Sequence, residues 1–521
     1  MDYDKLNKIA KETFKIEKLK DKQLEIFNEI IINRRDVCAV LPTGFGKSLC
    51  YQLPSVYMTD HPVIVISPLL SLMEDQKLYL DKVGVSCCCY NSTLKNRNKI
   101  RDEIEENKYQ IIFMTPEYTV KCQSLFEYLH AEYELALVCI DESHCISSWG
   151  STFRESYKEL ECIKRWLPDV PILALTATAT KQVEADICKS LNLENPEIVK
   201  TSFDRPNLYL SAHSKTGYVD LLKYFIGKDK KIIKRPSIIY CKTRKVTEAI
   251  EKYLTDVGVT CASYHGGMDM SDRTQVHHDF LNDKKSCIIA TISFGMGINK
   301  SNIRLIIHYG APKDMEAYYQ EIGRAGRDNM PSECVIYHNR SDFAINRMFL
   351  KDIKDIKYRN HSEKILKKME SYLYSSKCRR KEILGYFDED YKGENEKCCD
   401  NCTKLSQVDE TEDAKDQIDN SEEASLLLGL VAEIEIIWGL TMYINILRGS
   451  KNKKISADLY ESKYYNKGGQ FPVSFWTHLG QTLLNCGYLE EKSSRKSFGS
   501  TLKISKKGSD WMKSANKKYY L

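Results

Sequence analysis

Two hydrophobic rhythms alternate along the chain. Short unbroken apolar runs occur at residues 37–40, 63–66, 111–114, 135–140 and 171–175, and again at 238–241, 287–290 and 305–307. Between them, apolar residues recur at i+3 and i+4 spacing, the period of an amphipathic helix. An unbroken run rich in Val and Ile is what a parallel strand covered on both faces requires. Its alternation with helices predicts open α/β sheets. The runs form two groups on either side of Ser202-Phe203-Asp204-Arg205-Pro206-Asn207-Leu208, so two tandem lobes are expected, joined by that segment. Residues 1–30 are expected to be helical from the spacing of Leu6, Ile9, Phe14, Leu24, Ile26, Phe27 and Ile30. Most strand runs end in small or polar residues: Ser67-Pro68, Thr115-Pro116, Asp141-Glu142-Ser143-His144, Thr176-Ala177-Thr178 and Lys242-Thr243-Arg244. Open α/β sheets bind their ligands at such carboxyl ends.

Beyond residue 340 the strand rhythm stops. Residues 341–375 are charged with helical spacing, and residues 409–423 are dominated by acids with little apolar content, which predicts an extended linker. Helices are expected again at 426–428 and 431–440, at a segment ending in Leu447-Arg448-Gly449-Ser450, and at Phe475-Trp476-Leu479-Leu483-Leu484. A hairpin follows, with residues 493–497 as its basic tip and Phe498-Gly499 behind it.

Composition narrows this little. At roughly 150 residues per domain, 521 residues make about three or four domains. Apolar content of 42% and charged content of 29% are those of an ordinary globular chain. No run approaches the ~20 apolar residues of a membrane span, and the charged N-terminus lacks a secretory h-region. A net charge of +5 is too small to identify a nucleic-acid partner. Of the 19 cysteines, most stand singly in apolar strands and read as reduced, buried residues. Only Cys378, Cys398, Cys399 and Cys402 have ligand-like grouping.

The chemistry begins at Leu41-Pro42-Thr43-Gly44-Phe45-Gly46-Lys47-Ser48, between an apolar run and a helical pattern. Glycines let a backbone turn tightly and aim N–H groups inward. A following helix N-terminus adds unpaired donors. Thr43, Gly44 and Gly46 shape such a cradle, Lys47 supplies charge at the β/γ-phosphates, and the Ser48 hydroxyl suits Mg²⁺. Asp141-Glu142 at a later strand end completes the pair: one carboxylate holds Mg²⁺, and its neighbour accepts a proton from water.

The loop has the x-P-T-G-x-G-K-S form common in superfamily 2 nucleic-acid helicases, with Leu41 where the general phosphate loop has glycine. The run Asp141-Glu142-Ser143-His144-Cys145-Ile146-Ser147-Ser148-Trp149-Gly150-Ser151-Thr152-Phe153-Arg154 closely resembles the DEAH box and aromatic-rich loop of RecQ DNA helicases. It departs from that pattern at Ser148, Ser151 and Thr152. The later run Tyr318-Tyr319-Gln320-Glu321-Ile322-Gly323-Arg324-Ala325-Gly326-Arg327-Asp328 resembles their second lobe. The resemblance extends over roughly residues 14–510, with motifs in family order.

It implies an α/β protein of two RecA-like P-loop lobes with parallel sheets (1–205 and 206–343). A small helical zinc-binding subdomain (344–406), an acidic linker (407–423) and a winged-helix domain (424–521) follow. It also implies a 3′–5′ DNA helicase driven by ATP and Mg²⁺. Gln23 would read adenine, and Asn299 would meet ribose where the family has aspartate. Gln320, Arg324 and Arg327 would act on the γ-phosphate, with Arg327 as arginine finger and Arg324 as sensor. A relay role for His144 between nucleotide and DNA is expected. Arg324 and Arg327, three apart, are expected on one helix face.

Ser67, Thr115, Ser147, Trp149, Phe153, Arg154, Thr243 and Thr291 would line the path of a single strand, with aromatic faces stacking on bases. Phe498 would meet the duplex. The expected partners are single-stranded and forked or duplex DNA, with no membrane, at an intracellular site where DNA is handled. Family members hold Zn²⁺ on a C-R-R helix and three further cysteines. Here Cys398 and Cys399 are adjacent where the family spaces them, so four-thiolate and three-thiolate arrangements both stay open. An RNA helicase of the DEAD/DEAH type and a DNA-annealing protein without turnover are the rival readings.

Overall fold

The computed structural model describes residues 3–147, 154–227, 229–291, 300–353, 355–391, 393, 397–403, 419–434, 438–451, 455, 457–493, 500–514 and 517–519. They fall into two compact units, one of residues 1–369 and 378–400, the other of residues 370–377 and 401–521.

The first unit carries two sheets. Among the described residues the first is seven-stranded: β1 (Val37–Val40), β2 (Val63–Ile66), β3 (Cys87–Tyr90), β4 (Ile111–Met114), β5 (Leu137–Ile140), β6 (Ile172–Thr176) and β7 (Glu197–Lys200), in the order β3-β4-β2-β5-β6-β1-β7. Every pairing is parallel. Strands β1, β2, β4, β5 and β6 are buried at every position, as their unbroken apolar runs demand. Each fully buried Val, Ile or Leu contributes ~1.5–3 kcal/mol, so these central strands form the rigid floor of the lobe. Val40 is level with Thr176, and Ile140 with Ala174. The loops after β1, β5 and β6 therefore leave the sheet side by side.

The second sheet has six described strands: β8 (Leu208–Ser214), β9 (Ser237–Cys241), β10 (Cys261–Tyr264), β11 (Cys287–Ala290), β12 (Leu305–Tyr309) and β13 (Ser332–His338), in the order β10-β11-β9-β12-β13-β8. It too is parallel throughout. Ala290, Tyr240 and His308 are level across its centre, so Thr291, Lys242 and Gly310 emerge along one edge. The N-terminal segment is helical as expected, in pieces: Tyr3–Glu12, Asp21–Phe27 and a π-helical turn at Asn28–Ile32.

The second unit packs helices Ser421–Glu433, Leu440–Leu447, Val473–Asn485 and Lys506–Lys513 with an antiparallel hairpin, β14 (Leu489–Ser493) and β15 (Ser500–Ile504). Its core joins Leu427, Leu428, Tyr443, Ile446, Leu447, Trp476, Leu479, Leu483 and Leu502. This is a winged-helix arrangement.

Two sequence expectations are corrected. The acidic run is not extended up to residue 423: Glu422 and Glu423 occupy the first turn of Ser421–Glu433, where carboxylates oppose the positive end of the helix dipole. The helix expected through residue 440 ends at Glu433, because Ile434 turns extended, and Gly439 begins the next helix. Most of the expected linker, residues 407–418, lies outside the described residues. Among the described residues no helix is long and apolar enough to cross a membrane.

Candidate nucleotide and nucleic-acid site

The phosphate loop leaves β1 and ends at helix Leu49–Tyr57. Gly44 (φ 86°) and Gly46 (φ 97°) adopt the left-handed backbone that turns N–H groups inward. Gln23 is buried against this loop. Its amide nitrogen donates to the carbonyls of Gly46 (3.2 Å) and Phe45 (3.4 Å), and its oxygen accepts from Lys20 N (3.0 Å). Gln23 thus braces the loop from beneath, and a Cβ on Gly46 would stand 2.7 Å from its Nε2.

Lys20 is a neighbour that sequence reasoning missed. Its Nζ donates to Phe45 O (2.7 Å) and lies 4.3 Å from the Phe45 ring centre. Its place immediately before helix Asp21–Phe27, three residues ahead of Gln23, is the available signal. Ser48 sits at the N-terminal cap of the helix. Lys47 Nζ donates back to Leu41 O at 3.3 Å. Burial lowers the Lys47 pKa, against the opposing charges of Glu142 and Asp141.

Asp141 and Glu142 follow β5. Glu142 N donates to Asp141 Oδ1 (3.0 Å), and the Tyr157 hydroxyl donates to Asp141 O (3.0 Å). Burial, then the charge of Glu142, pushes the Asp141 carboxyl up to about 7. Glu142 goes the other way: burial would raise it, but hydrogen bonding and charge from His144 hold it at about 2. Glu142 also has φ 48°, unusual for a residue with a Cβ and a place where backbone strain is stored.

His144 Nδ1 lies 3.2 Å from Glu142 Oε2 and 2.9 Å from Thr176 Oγ1. Burial would strip the imidazole of its proton, but Cys145 and Glu142 outweigh it and raise the pKa above its usual value. The Thr176 hydroxyl donates to Thr178 O (3.0 Å), and Gln320 Nε2 donates to Thr178 Oγ1 (3.2 Å). A polar path therefore runs from Glu142 to the second lobe.

That lobe presents Arg324 and Arg327, but not on a helix. Helix Met315–Ile322 stops before them, and both lie on a turn in which Gly326 has φ 52°. The expectation of a shared helix face is corrected: Gly323 still has helical backbone angles at the cap, and Gly326, at φ 52°, takes the chain out of helical geometry. Arg327 packs its aliphatic stem on the phosphate loop, with Cγ 3.1 Å from where a Cβ of Gly44 would lie. Burial, then the charge of Arg324, lowers its pKa to about 9. Arg324 is buried, and its Nε has no hydrogen-bond partner among the described residues.

Two cations, one with an orphaned donor, thus face a loop of inward N–H groups and Lys47, which fits a polyanionic nucleotide tail. The Ser48 hydroxyl and the Asp141 carboxylate are hard oxygen donors suited to Mg²⁺.

Ser67, Thr115, Thr243 and Thr291 all lie just past strand ends. Ser67 Oγ is buried without a partner among the described residues. Thr115 and Thr243 cap helices, Thr243 Oγ1 accepting from Val246 N. Ser147 Oγ donates to Asp186 (2.7 Å), and Arg154 Nη1 donates to Pro68 O (2.7 Å). Trp149, Phe153, Asn299 and Phe498 lie outside the described residues.

The thiols of Cys378, Cys398, Cys399 and Cys402 lie within 4.8 Å of one another. Thiolates ~2.3 Å from a tetrahedral zinc would be about 3.8 Å apart, so the four fit one Zn²⁺. Cys398, doubted for its adjacency to Cys399, belongs to the group. Arg379 braces it: its N–H donates to Cys399 Sγ (3.4 Å), and its guanidinium grips Asp400 (Nε–Oδ1 2.5 Å, Nη2–Oδ2 3.1 Å).

A phosphate loop on one parallel-sheet lobe and a buried arginine turn on the next define a two-lobed nucleotide-hydrolysing motor. Family models match in the same order: DEAD/DEAH box helicase over residues 20–186, helicase conserved C-terminal domain over 218–329, RecQ zinc-binding over 340–403 and RQC domain over 414–521.

The chain is 43% identical to a putative ATP-dependent RNA helicase of Acanthamoeba polyphaga mimivirus, over 99% of this chain and 93% of that protein. It is 33% identical to the ATP-dependent DNA helicase RecQ of Haemophilus influenzae, over 93% of this chain and 76% of that one. It is also 40% identical to the mouse bifunctional 3′-5′ exonuclease/ATP-dependent helicase WRN, over 95% of this chain, but spans only 36% of that protein. Among solved structures, yeast Dbp5 bound to RNA and ADP BeF3 shares the two-lobed fold, with a TM-score of 0.52 at 18% identity over 70% of this chain and 99% of that one. The chain belongs to the RecQ family of ATP-dependent helicases.

Proposed function

We propose that this protein is an ATP-dependent DNA helicase that translocates 3′ to 5′ on a single strand and opens the duplex ahead. The observation that carries the reading is the meeting of Arg327 with Gly44 of the phosphate loop, which divides the nucleotide site between two lobes. Lys47 and the loop N–H groups bind the phosphates, and Gln23, held against the loop at Phe45 and Gly46, reads the adenine edge beside Lys20. Ser48 and Asp141 would hold Mg²⁺, which when bound neutralises phosphate charge. Glu142, kept ionised by His144, orients the attacking water and takes its proton. Arg324 and Arg327 stabilise charge on the transferring phosphoryl group.

Closure and opening of the lobes move a strand past Ser67, Thr115, Arg154, Thr243 and Thr291, while the second unit grips the duplex. The Glu142–His144–Thr176–Thr178–Gln320 path supports coupling between the hydrolytic carboxylate and the second lobe. RecQ relatives and the RQC match support DNA as the partner, and action on DNA places the protein in a compartment that holds it.

The test is phosphate release with and without single-stranded DNA, together with unwinding of forked substrates bearing 3′ or 5′ tails. DNA-stimulated turnover abolished by Lys47→Ala, with unwinding from 3′ tails only, is expected. The RNA reading draws on the name of the mimivirus relative. Preferential unwinding of a length-matched RNA duplex would establish it instead.

A further inference from the structure

The segment joining the lobes holds a cation that the motor's chemistry does not yet use. Arg205 Nη1 donates to Thr43 O (3.2 Å) and Gly323 O (3.3 Å), and Nη2 donates to Ala325 O (2.9 Å) and Gly326 O (3.0 Å). Thr43 belongs to the phosphate loop, and residues 323–326 form the turn bearing Arg324. One planar guanidinium therefore collects carbonyl oxygens from both halves of the nucleotide site.

The physical reason lies in the turn. Helix Met315–Ile322 ends just before it, which leaves the following carbonyls without helical partners. A fork of fixed donors satisfies several at once, as a single ammonium cannot. Asn207 adds two more bonds, to Gly326 O (2.9 Å) and Met330 O (3.0 Å). The fit at this point is close: a Cβ on Gly323 would fall 2.8 Å from Thr43 Cβ. Nη1 can hold Thr43 O and Gly323 O together only while the lobes are this near.

We infer that Arg205 is a positioning residue that locks the Arg324–Arg327 turn against the phosphate loop when the lobes close. It acts through protein carbonyls, and its loss leaves the phosphate-binding groups in place while the arginines lose their register. Misplacing a catalytic group by about 1 Å costs up to ~100-fold in rate. The inference rests on the hydrolysis reading above.

The test uses the full chain with Arg205→Ala and Arg205→Lys, measuring DNA-stimulated kcat and KM for ATP. Affinity for ADP is measured with and without beryllium fluoride, whose complex mimics the γ-phosphate. Expected are a kcat about tenfold or more below the parent, ADP affinity unchanged, and loss of the tightening that beryllium fluoride gives the parent. The lysine variant, which keeps the charge without the fork, should recover only part of both. Parental kcat and parental tightening in either variant would overturn the inference. So would loss of ADP binding and of thermal stability in both, which marks a purely structural role. A parent that neither releases phosphate nor tightens on ADP with beryllium fluoride would sink the hydrolysis reading and this inference together.

Discussion

Gly326→Ala tests how the arginine turn is built. Gly326 has φ 52°, and the left-handed region costs an L-residue roughly 1–2 kcal/mol. The new methyl would stand 2.7 Å from the backbone oxygen of Met330 and against the Asn207 amide. To make room, Asn207 must give up its bonds to Gly326 O and Met330 O, at about 1 kcal/mol each. The sum is about 3–4 kcal/mol, enough to favour an opened turn over the native one. Opening it draws Arg327 from Gly44, while Gln23, Lys47 and Ser48 stay on the other lobe.

The expected result is near-parental ADP binding, measured with a fluorescent analogue, together with a fall in DNA-stimulated kcat of about 100-fold. Gly326→Ala protein with parental kcat would refute the claim that this turn's geometry sets the position of the arginines. So would a variant that lost ADP binding and kcat in equal measure.

Gly385 offers the opposite case: it lies within helix Arg379–Tyr386 with nothing within 4 Å of a built Cβ. Gly385→Ala should stabilise the protein by up to about 1 kcal/mol, seen as a higher urea midpoint. Elemental analysis should find one zinc per chain, with Cys399→Ser lowering that content and a strong chelator lowering the thermal midpoint.

Lys242 gives a pH signature. Burial, partly opposed by Asp342, depresses its folded pKa from the usual 10.5 to about 8. The charged form is therefore penalised in the fold. That penalty is complete below about pH 8 and fades as pH rises toward 10.5. The urea midpoint of the parent should accordingly gain on that of Lys242→Met between pH 8 and 10, and parallel profiles would contradict the assignment.

The strands were legible because their signal is local: four or five apolar residues in a row leave few alternatives to a strand covered on both faces. Thr43–Ser48 and Asp141–Glu142 were legible for the same reason, since each is a short run with its own chemistry. The placement of Arg324 and Arg327 was not. Their spacing reads as helix, but the turn is held by Gly326 and by carbonyl partners more than a hundred positions earlier in the chain, at Arg205 and Asn207. Lys20 reads as one surface lysine among many until the fold brings it over Phe45. Glu422 and Glu423 read as linker because composition registers charge, while the helix end that makes those charges favourable appears only in the fold. Cys398 looked awkward beside Cys399 because spacing rules ignore the freedom of side chains to reach one point.

The joint between the lobes is gripped from outside. Arg380 holds Asp204 (2.5 Å) and Leu208 O (2.7 Å), Glu389 accepts from Phe203 N (2.7 Å), and Phe387 stacks on Phe203 at 4.4 Å between ring centres. The same cysteine-bearing segment reaches Lys181 N of the first lobe through Asp388 (3.1 Å) and Ala212 N of the second through Asp400 (3.2 Å). A slack tether would let the lobes drift apart in any direction. A tether splinted at its root would act as an axle, favouring rotation about Phe203 and Asp204 over free drift. Zinc held by Cys378, Cys398, Cys399 and Cys402 would stiffen that splint, and so would bear on the gearing of the motor as well as on the stability of its own small module.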